Sequence, residues 1–482
     1  MYGIHGFEFI DRNDELKYLQ EIEKKNFFLL IKGRRRIGKT RLVYESFDDT
    51  IYAFIWPDKS LQWILERISE EKNLPLFSRF SDLLNHLLDT GKVVIFDEFQ
   101  NLHNIDKSLL GEVQNIIDTR ERQGKPIRFT VLGSSYTMIK KAFQNYSSPL
   151  YGRLSDIITL DHLPVIPLYN SLSVTLEDFI KLWSVFEGVP YYYEFLNFKK
   201  KPEENIIQLI LNKHAPLQEE GKVLVSMEFG QDSKIYTTIL SAIASGKTKL
   251  GEISSVFGEK ATNTIKYLDT LRKDFNLVRR ETPILEDPRK SKNGIYEVRD
   301  NFLSFWYYFV DKRRDYIEQE RFSEFISQFT RDFPAFVGRK FEKFIIGLIK
   351  GGIIPIGERF EKIGRQWGRI EPKARKVHDH QVYEIDILME NPKERKLLLG
   401  ECKWKENVNA AVVVNDLRQK RAYLPGNYEN YSDEGYLVFA RSFSKAVNSF
   451  QGKRVQCFSL STLEQFMKAQ NKGTGRKRRQ FL

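Results

Sequence analysis

The run Gly33-Arg34-Arg35-Arg36-Ile37-Gly38-Lys39-Thr40 constrains this chain more than any other stretch. It satisfies the pattern G-x-x-x-x-G-K-[ST] at every position and follows an apolar run at 27–31. Such a loop wraps backbone N–H groups around phosphates, and its glycines let the backbone come close. Lys39 then reaches the β- and γ-phosphates, and the Thr40 hydroxyl holds Mg²⁺. Residues 33–40 are therefore expected to bind a nucleoside triphosphate, ATP, with Mg²⁺.

The surrounding sequence has the pattern of an α/β P-loop NTPase with a parallel sheet. Apolar strand candidates at 27–31, 51–55, 93–96, 129–132 and 157–160 alternate with helical stretches such as 61–71 and 109–120. A chain of 482 residues is too long for one core. The divisions expected are a P-loop ATPase domain at 1–165, a helical lid at 166–232, a smaller unit at 233–315, a fourth region at 316–470 and a basic tail at 471–482. The smaller unit reads helix, helix, helix, hairpin, the order of a winged helix, with Arg289, Lys290 and Lys292 in the wing. The aromatic run 302–310 is half the length needed to span a bilayer and reads as core. Two cysteines, Cys402 and Cys457, are too few for a disulfide framework, which makes the cytoplasm the default compartment. A net charge of +12 either favours a polyanionic partner such as nucleic acid, here DNA, or reflects a charge-rich surface that leans basic, and no apolar run is long enough to make a membrane partner expected.

The apolar run at 93–96 ends in Asp97-Glu98, placing two carboxylates at the carboxyl edge of a parallel sheet, where ligands bind. Asp97 suits Mg²⁺, and Glu98 suits orienting or deprotonating the attacking water. Ser134 either senses the γ-phosphate or caps the next helix. Arg153 either neutralises developing phosphate charge, from its own chain or from a neighbour in a homo-oligomer, or forms a surface ion pair. Arg34, Arg35 and Arg36 can contact phosphates, a neighbouring subunit or solvent.

With Gly133-Ser134-Ser135, Leu150-Tyr151-Gly152-Arg153 and Gly188-Val189-Pro190, these residues resemble the archaeal ATPase family, which belongs with the STAND and AAA-related P-loop ATPases. The resemblance covers residues 1–230 and implies Pro190 near the adenine, a winged helix next in the chain, and ATP acting as a switch.

A second constellation lies downstream. Glu384-Ile385-Asp386-Ile387-Leu388 alternates acid and apolar residue, a turn-like Asn391-Pro392-Lys393-Glu394 follows, and the next strand ends in Glu401-Cys402-Lys403. A turn centred between Pro392 and Lys393 sets Asp386 opposite Leu399 and Glu384 opposite Glu401. Residues 384, 386, 399, 401 and 403 then share one face. Asp386 and Glu401 would bind Mg²⁺ or Mn²⁺, and Lys403 would steer water or stabilise developing charge. The spacing resembles the PD-(D/E)xK nuclease superfamily, with Glu342 as the acid preceding the core and Gln419-Lys420-Arg421-Ala422-Tyr423 similar to its Q-x-x-x-Y motif. The resemblance implies a restriction-endonuclease-like C-terminal domain that cuts DNA. The chain lacks a proline before Asp386, and the alternative is an ATP-switched winged-helix regulator whose nuclease-like domain only binds DNA or protein. His378 and His380 flank Asp379 without cysteines at zinc spacing and read as a solvated loop.

Overall fold

The computed structural model describes residues 9–134, 139–230, 233–258, 261–370 and 382–471. Ser135, the stretch from His378 to His380 and the basic tail from residue 472 lie outside the described residues. The chain divides into two compact units, Met1–Leu168 with Gly188–Phe195, and Tyr169–Glu187 with Leu196–Leu482. The segment expected as one helical lid is thus shared between the two. Among the described residues, no helix is long and apolar enough to cross a membrane.

The first unit is built on five strands, β1 (Phe27–Lys32), β2 (Thr50–Phe54), β3 (Val93–Asp97), β4 (Arg128–Gly133) and β5 (Asp156–Thr159). They lie in the order β2-β3-β4-β1-β5, and every pairing is parallel. β1 and β3 are continuous apolar runs because helices cover both sheet faces. Phe28, Val94, Phe96 and Phe129 share a core with Leu83, Leu84 and Leu87 of α2 (Phe80–Asp89). β4 separates the phosphate-loop strand from the acidic strand, so the residue following β4 falls between them.

In the second unit the helices α4 (Ser233–Ala244), α5 (Leu250–Phe257) and α6 (Ala261–Asp269) precede an antiparallel hairpin of β6 (Val278–Glu281) and β7 (Ile295–Val298). Gly258, at φ +66°, terminates α5 in the left-handed region that glycine enters without a Cβ penalty. The run at 302–310 is core, as its composition predicts: Phe302, Phe305, Trp306 and Phe309 are buried, and Phe305 and Phe309 pack on Phe329, Phe333 and Phe336 of the long helix α7 (Phe322–Lys350).

A six-stranded mixed sheet follows, made of β8 (Lys362–Arg369), β9 (Val382–Asn391), β10 (Lys396–Lys403), β12 (Ser432–Ala440), β14 (Ser449–Phe450) and β15 (Lys453–Phe458), in the order β14-β15-β12-β10-β9-β8. Two short strands, β11 (Val408–Asn409) and β13 (Phe443–Lys445), pair separately. Helix α8 (Ala410–Arg421) lays Ala410, Val414 and Leu417 over Ile385, Leu397, Leu399 and Val438.

Two sequence expectations need correction here. The β9–β10 turn spans 392–395 with Arg395 at φ +52°, so Leu399 pairs with Leu388, not with Asp386. The register differs from the expected one by two residues. Strict alternation also fails. Gly364 pairs with Leu388 and Gln366 with Ile385, so Asp386 and Ile387 of β9 stand against the single residue Arg365 of β8. This is a β-bulge, which re-aims side chains where it occurs. Its consequence is visible in the core, where Ile385 and Leu388, three positions apart, join the same cluster.

The loop between β6 and β7 is not a free wing. Ile284 N donates to Arg365 O at 3.0 Å, Leu285 N to Gln366 Oε1 at 3.2 Å, and Trp367 Nε1 to Asn293 O at 3.1 Å. Arg280 braces the loop from within, donating to Pro288 O at 3.0 Å and Ser291 O at 2.7 Å. The loop thus runs along the edge strand β8, while Lys290 and Lys292 stay exposed.

Candidate nucleotide and acidic sites

The nucleotide site assembles from three strand ends. Gly38, at φ +92°, and Arg36, at φ +69°, curl the loop into helix α1 (Lys39–Ser46). A Cβ on Gly33 would stand 2.6 Å from Leu160 O, so the first glycine is fixed by close approach of β5's continuation. Lys39 is buried and donates to Gly33 O at 2.9 Å and Arg34 O at 3.0 Å, which folds the loop around its ammonium. Ile37 within the loop is buried.

Thr40 Oγ1 donates to Asp97 Oδ2 at 2.8 Å, and Tyr52 OH donates to the same oxygen at 2.9 Å. Burial, then the charge of Glu98, raises the Asp97 pKa against the opposing pull of Thr40 and Lys39. Two buried adjacent acids and a hydroxyl form a hard oxygen set that fits Mg²⁺. Glu98 is buried and held from three sides. Ser134 Oγ donates to its two oxygens at 2.7 and 2.8 Å, Gln100 Nε2 donates to Oε2, and Arg35 Nη2 lies 3.6 Å from Oε1. Position β4 between β1 and β3 is what brings Ser134 to Glu98.

Pro190 also reaches this site, since a Cβ on Gly38 would stand 3.7 Å from Pro190 Cγ. Gly188 permits the approach: its carbonyl accepts from Leu163 N at 2.8 Å, and a Cβ there would stand 2.3 Å from Leu163 O. Tyr191, which follows Pro190, carries the Arg36 guanidinium 3.9 Å above its ring. Arg34 reaches His162 Nε2 at 3.2 Å. Arg153 does not join these residues: it binds Asp118 of α3 (Leu109–Arg122) through Nε at 2.9 Å and Nη2 at 3.0 Å, and donates to Pro149 O at 2.9 Å. Sequence reasoning missed Tyr52, Gln100 and Tyr191. For Gln100 a signal existed, because it lies two residues after Glu98.

The acidic site gathers around the bulge. Asp386 Oδ2 accepts from Cys402 N at 2.8 Å, which ties the aspartate to the E-x-K strand. Burial, then the charge of Glu401, raises the Asp386 pKa to about 7. Glu342 on α7 is raised to about 9 by burial and then by Asp386. Glu401 is buried and accepts from Lys403 Nζ at 2.7 Å. Sequence reasoning overlooked a second cation: Lys420 Nζ on α8 donates to Glu401 Oε1 at 3.1 Å and Oε2 at 3.2 Å. It sits inside the 419–423 motif, whose Gln419 is exposed and whose Tyr423 packs on Tyr383. Burial lowers the pKa of both lysines, but Glu401, aided by Asp386 at Lys403 and by Asp416 at Lys420, more than offsets this, so both end above the usual lysine value. Glu384 is exposed and turns to Arg365, away from the expected pairing with Glu401. The carboxylate oxygens of Glu342, Asp386 and Glu401 are hard donors of the type that divalent cations take.

Comparison with known proteins supports an AAA-type ATPase domain in the first unit. Residues 25–163 match a family model described as an AAA domain. Residues 306–415 match one described as archaea bacterial proteins of unknown function. An uncharacterized protein of Methanocaldococcus jannaschii, MJECL04, is 31% identical over 437 residues, 88% of this chain and 94% of that protein. The chain belongs to that protein's family. Among solved structures, the walker-type ATPase of Pyrococcus abyssi is similar at a TM-score of 0.45 and 17% identity, covering 63% of this chain and 97% of that one. The Aeropyrum pernix ORC1 protein in complex with DNA is similar at a TM-score of 0.33 and 12% identity, covering 64% and 95%.

Proposed function

We propose that this protein is an ATP-binding, ATP-hydrolysing and DNA-acting enzyme whose C-terminal region is a metal-dependent nuclease. The observation that carries the ATPase half is the Thr40–Asp97 hydrogen bond of 2.8 Å beside a Glu98 held by Ser134. In this reading Thr40 and Asp97 hold Mg²⁺, which supplies charge neutralisation on the phosphates. Loop 33–40 cradles the phosphates, Pro190 borders the base, and Glu98 takes the proton of the attacking water. Glu98 serves only once its oxygens are released from Ser134, Gln100 and Arg35, which suits slow, switch-like turnover.

For the nuclease half, Glu342, Asp386 and Glu401 would hold a divalent cation that neutralises a scissile phosphodiester. Lys403 would orient water or stabilise the developing charge. Helices α4 to α6 and the hairpin form the winged helix of this reading, with Arg289, Lys290 and Lys292 toward DNA phosphates, and the charge of +12 favours that partner. One observation favours the alternative of an inactive clamp: two lysines already occupy Glu401.

A nuclease assay over linear, supercoiled and branched DNA with Mn²⁺, with and without ATP, tests the proposal. Asp386→Ala should abolish cutting and leave ATP hydrolysis intact, while Lys39→Ala should remove nucleotide binding. Intact DNA throughout selects the clamp, and unchanged nucleotide affinity in Lys39→Ala sinks the ATPase reading.

A further inference from the structure

Arg365 stands among four carboxylates drawn from three parts of the second unit. Its Nη1 donates to Glu281 Oε2 at 3.1 Å and Glu297 Oε1 at 2.7 Å, both in the β6–β7 hairpin. Its Nη2 donates to Glu384 Oε1 at 2.5 Å, and its Nε lies 3.8 Å from Glu342 Oε2. That Nε is buried and makes no hydrogen bond. Arg279 is the second cation of the cluster, 2.7 Å from Glu297 and 3.9 Å from Glu281. Two guanidiniums thus serve four acids, before Asp386 is counted. Arg365 is also the single β8 residue opposite the bulge that carries Asp386.

We infer that Arg365 is a positioning residue for the acidic site, its charge shared between the hairpin and Glu342, so that the hairpin sets how tightly the site holds a divalent cation. The inference rests on the metal reading of Glu342, Asp386 and Glu401. A cation at Glu342 and the Arg365 guanidinium repel each other and compete for one carboxylate. Glu281 and Glu297 hold the guanidinium on the hairpin side and so favour the metal. Without them, Arg365 falls back on Glu342 and Glu384. Because linkage is reciprocal, a cation in the site also strengthens the hold of Arg365 on the hairpin.

Mn²⁺ titration of the full chain, followed by calorimetry and by the spin signal of free Mn²⁺, tests this. Wild type should bind Mn²⁺ at a site that Asp386→Ala removes. Glu281→Gln and Glu297→Gln should each weaken that binding about fivefold or more, although neither residue is a ligand. Arg365→Gln should tighten it, and Arg365→Lys, which keeps the charge, should stay near wild type. A purely structural role for Arg365 predicts weaker binding in all variants, and that result overturns the inference. So does unchanged affinity in both hairpin variants, which decide the matter alone if Arg365→Gln does not fold. If no Asp386-dependent binding exists, the metal reading falls and takes the coupling with it.

Discussion

Glu401 concentrates the energetics of the acidic site in one residue. Its side chain is 4% exposed and touches two ammonium groups, so its desolvation is offset by charge-assisted hydrogen bonds. Taking away one partner leaves a buried carboxylate half neutralised. Lys420→Ala should therefore destabilise the metal-free protein by about 1–3 kcal/mol. Urea unfolding in chelator reads the loss, and added Mn²⁺ should restore part of it if a cation can take the place of the lost ammonium. Lys420 lies outside every residue named in the E-x-K pattern because its contact depends on how α8 packs on β10. That is tertiary information, and a local spacing cannot carry it.

At the scale of elements, β12 shows how little tolerance the sheet has. Gly435 has φ +144°, and a Cβ there would stand 2.3 Å from the Arg454 carbonyl oxygen of β15. The β10–β12 register also shifts just before it, where Leu397 pairs with Asp433 and Leu398 with Gly435. Gly435→Ala should cost at least about 2 kcal/mol, seen as a lower Tm without loss of nucleotide binding. The elements themselves were largely legible. All five strands of the first sheet and the helix, helix, helix, hairpin order follow from apolar runs, periodicity and glycine stops. The β9–β10 register was not, because a turn of four residues and a bulge each displace side chains without leaving a compositional mark. The phosphate loop was legible to the residue since its chemistry is local. The clamp on Glu98 was legible only in part: Ser134 could be named, but its contact with Glu98, like that of Arg35, depends on the order β3-β4-β1, whereas Gln100 lies only two residues from Glu98.

For the whole molecule the acidic site makes stability depend on pH. Unfolded carboxylates titrate near 4. Glu342 at about 9 and Asp386 at about 7 keep their protons in the folded protein well above that. Between about pH 4 and 7 the native state thus binds more protons than the unfolded state, and these two groups lose stability as pH rises. Above pH 7 Lys340 opposes the trend, since burial lowers its pKa to about 7 and only the unfolded chain then takes up its proton. In chelator, Glu342→Gln should be more stable than wild type by a margin that widens from pH 5 to 7, as thermal unfolding would show. Saturating Mn²⁺ should shrink or invert that margin, because the glutamine offers the cation no charge.

The hairpin loop along β8 has one more consequence, which concerns many chains rather than one. β8 is an outer strand of the six-stranded sheet, and the opposite outer strand, β14, is two residues long. A long outer strand exposes unpaired N–H and C=O groups that can template pairing with another copy. The bond from Ile284 N to Arg365 O, with Leu285 beside it, occupies part of that template. Replacing 283–293 by a short glycine-serine link should thus leave a protein that folds yet self-associates with concentration, with light scattering rising before any change in helix content. The same eleven residues that present basic side chains to solvent would then also be what keeps one copy of the sheet from growing onto the next.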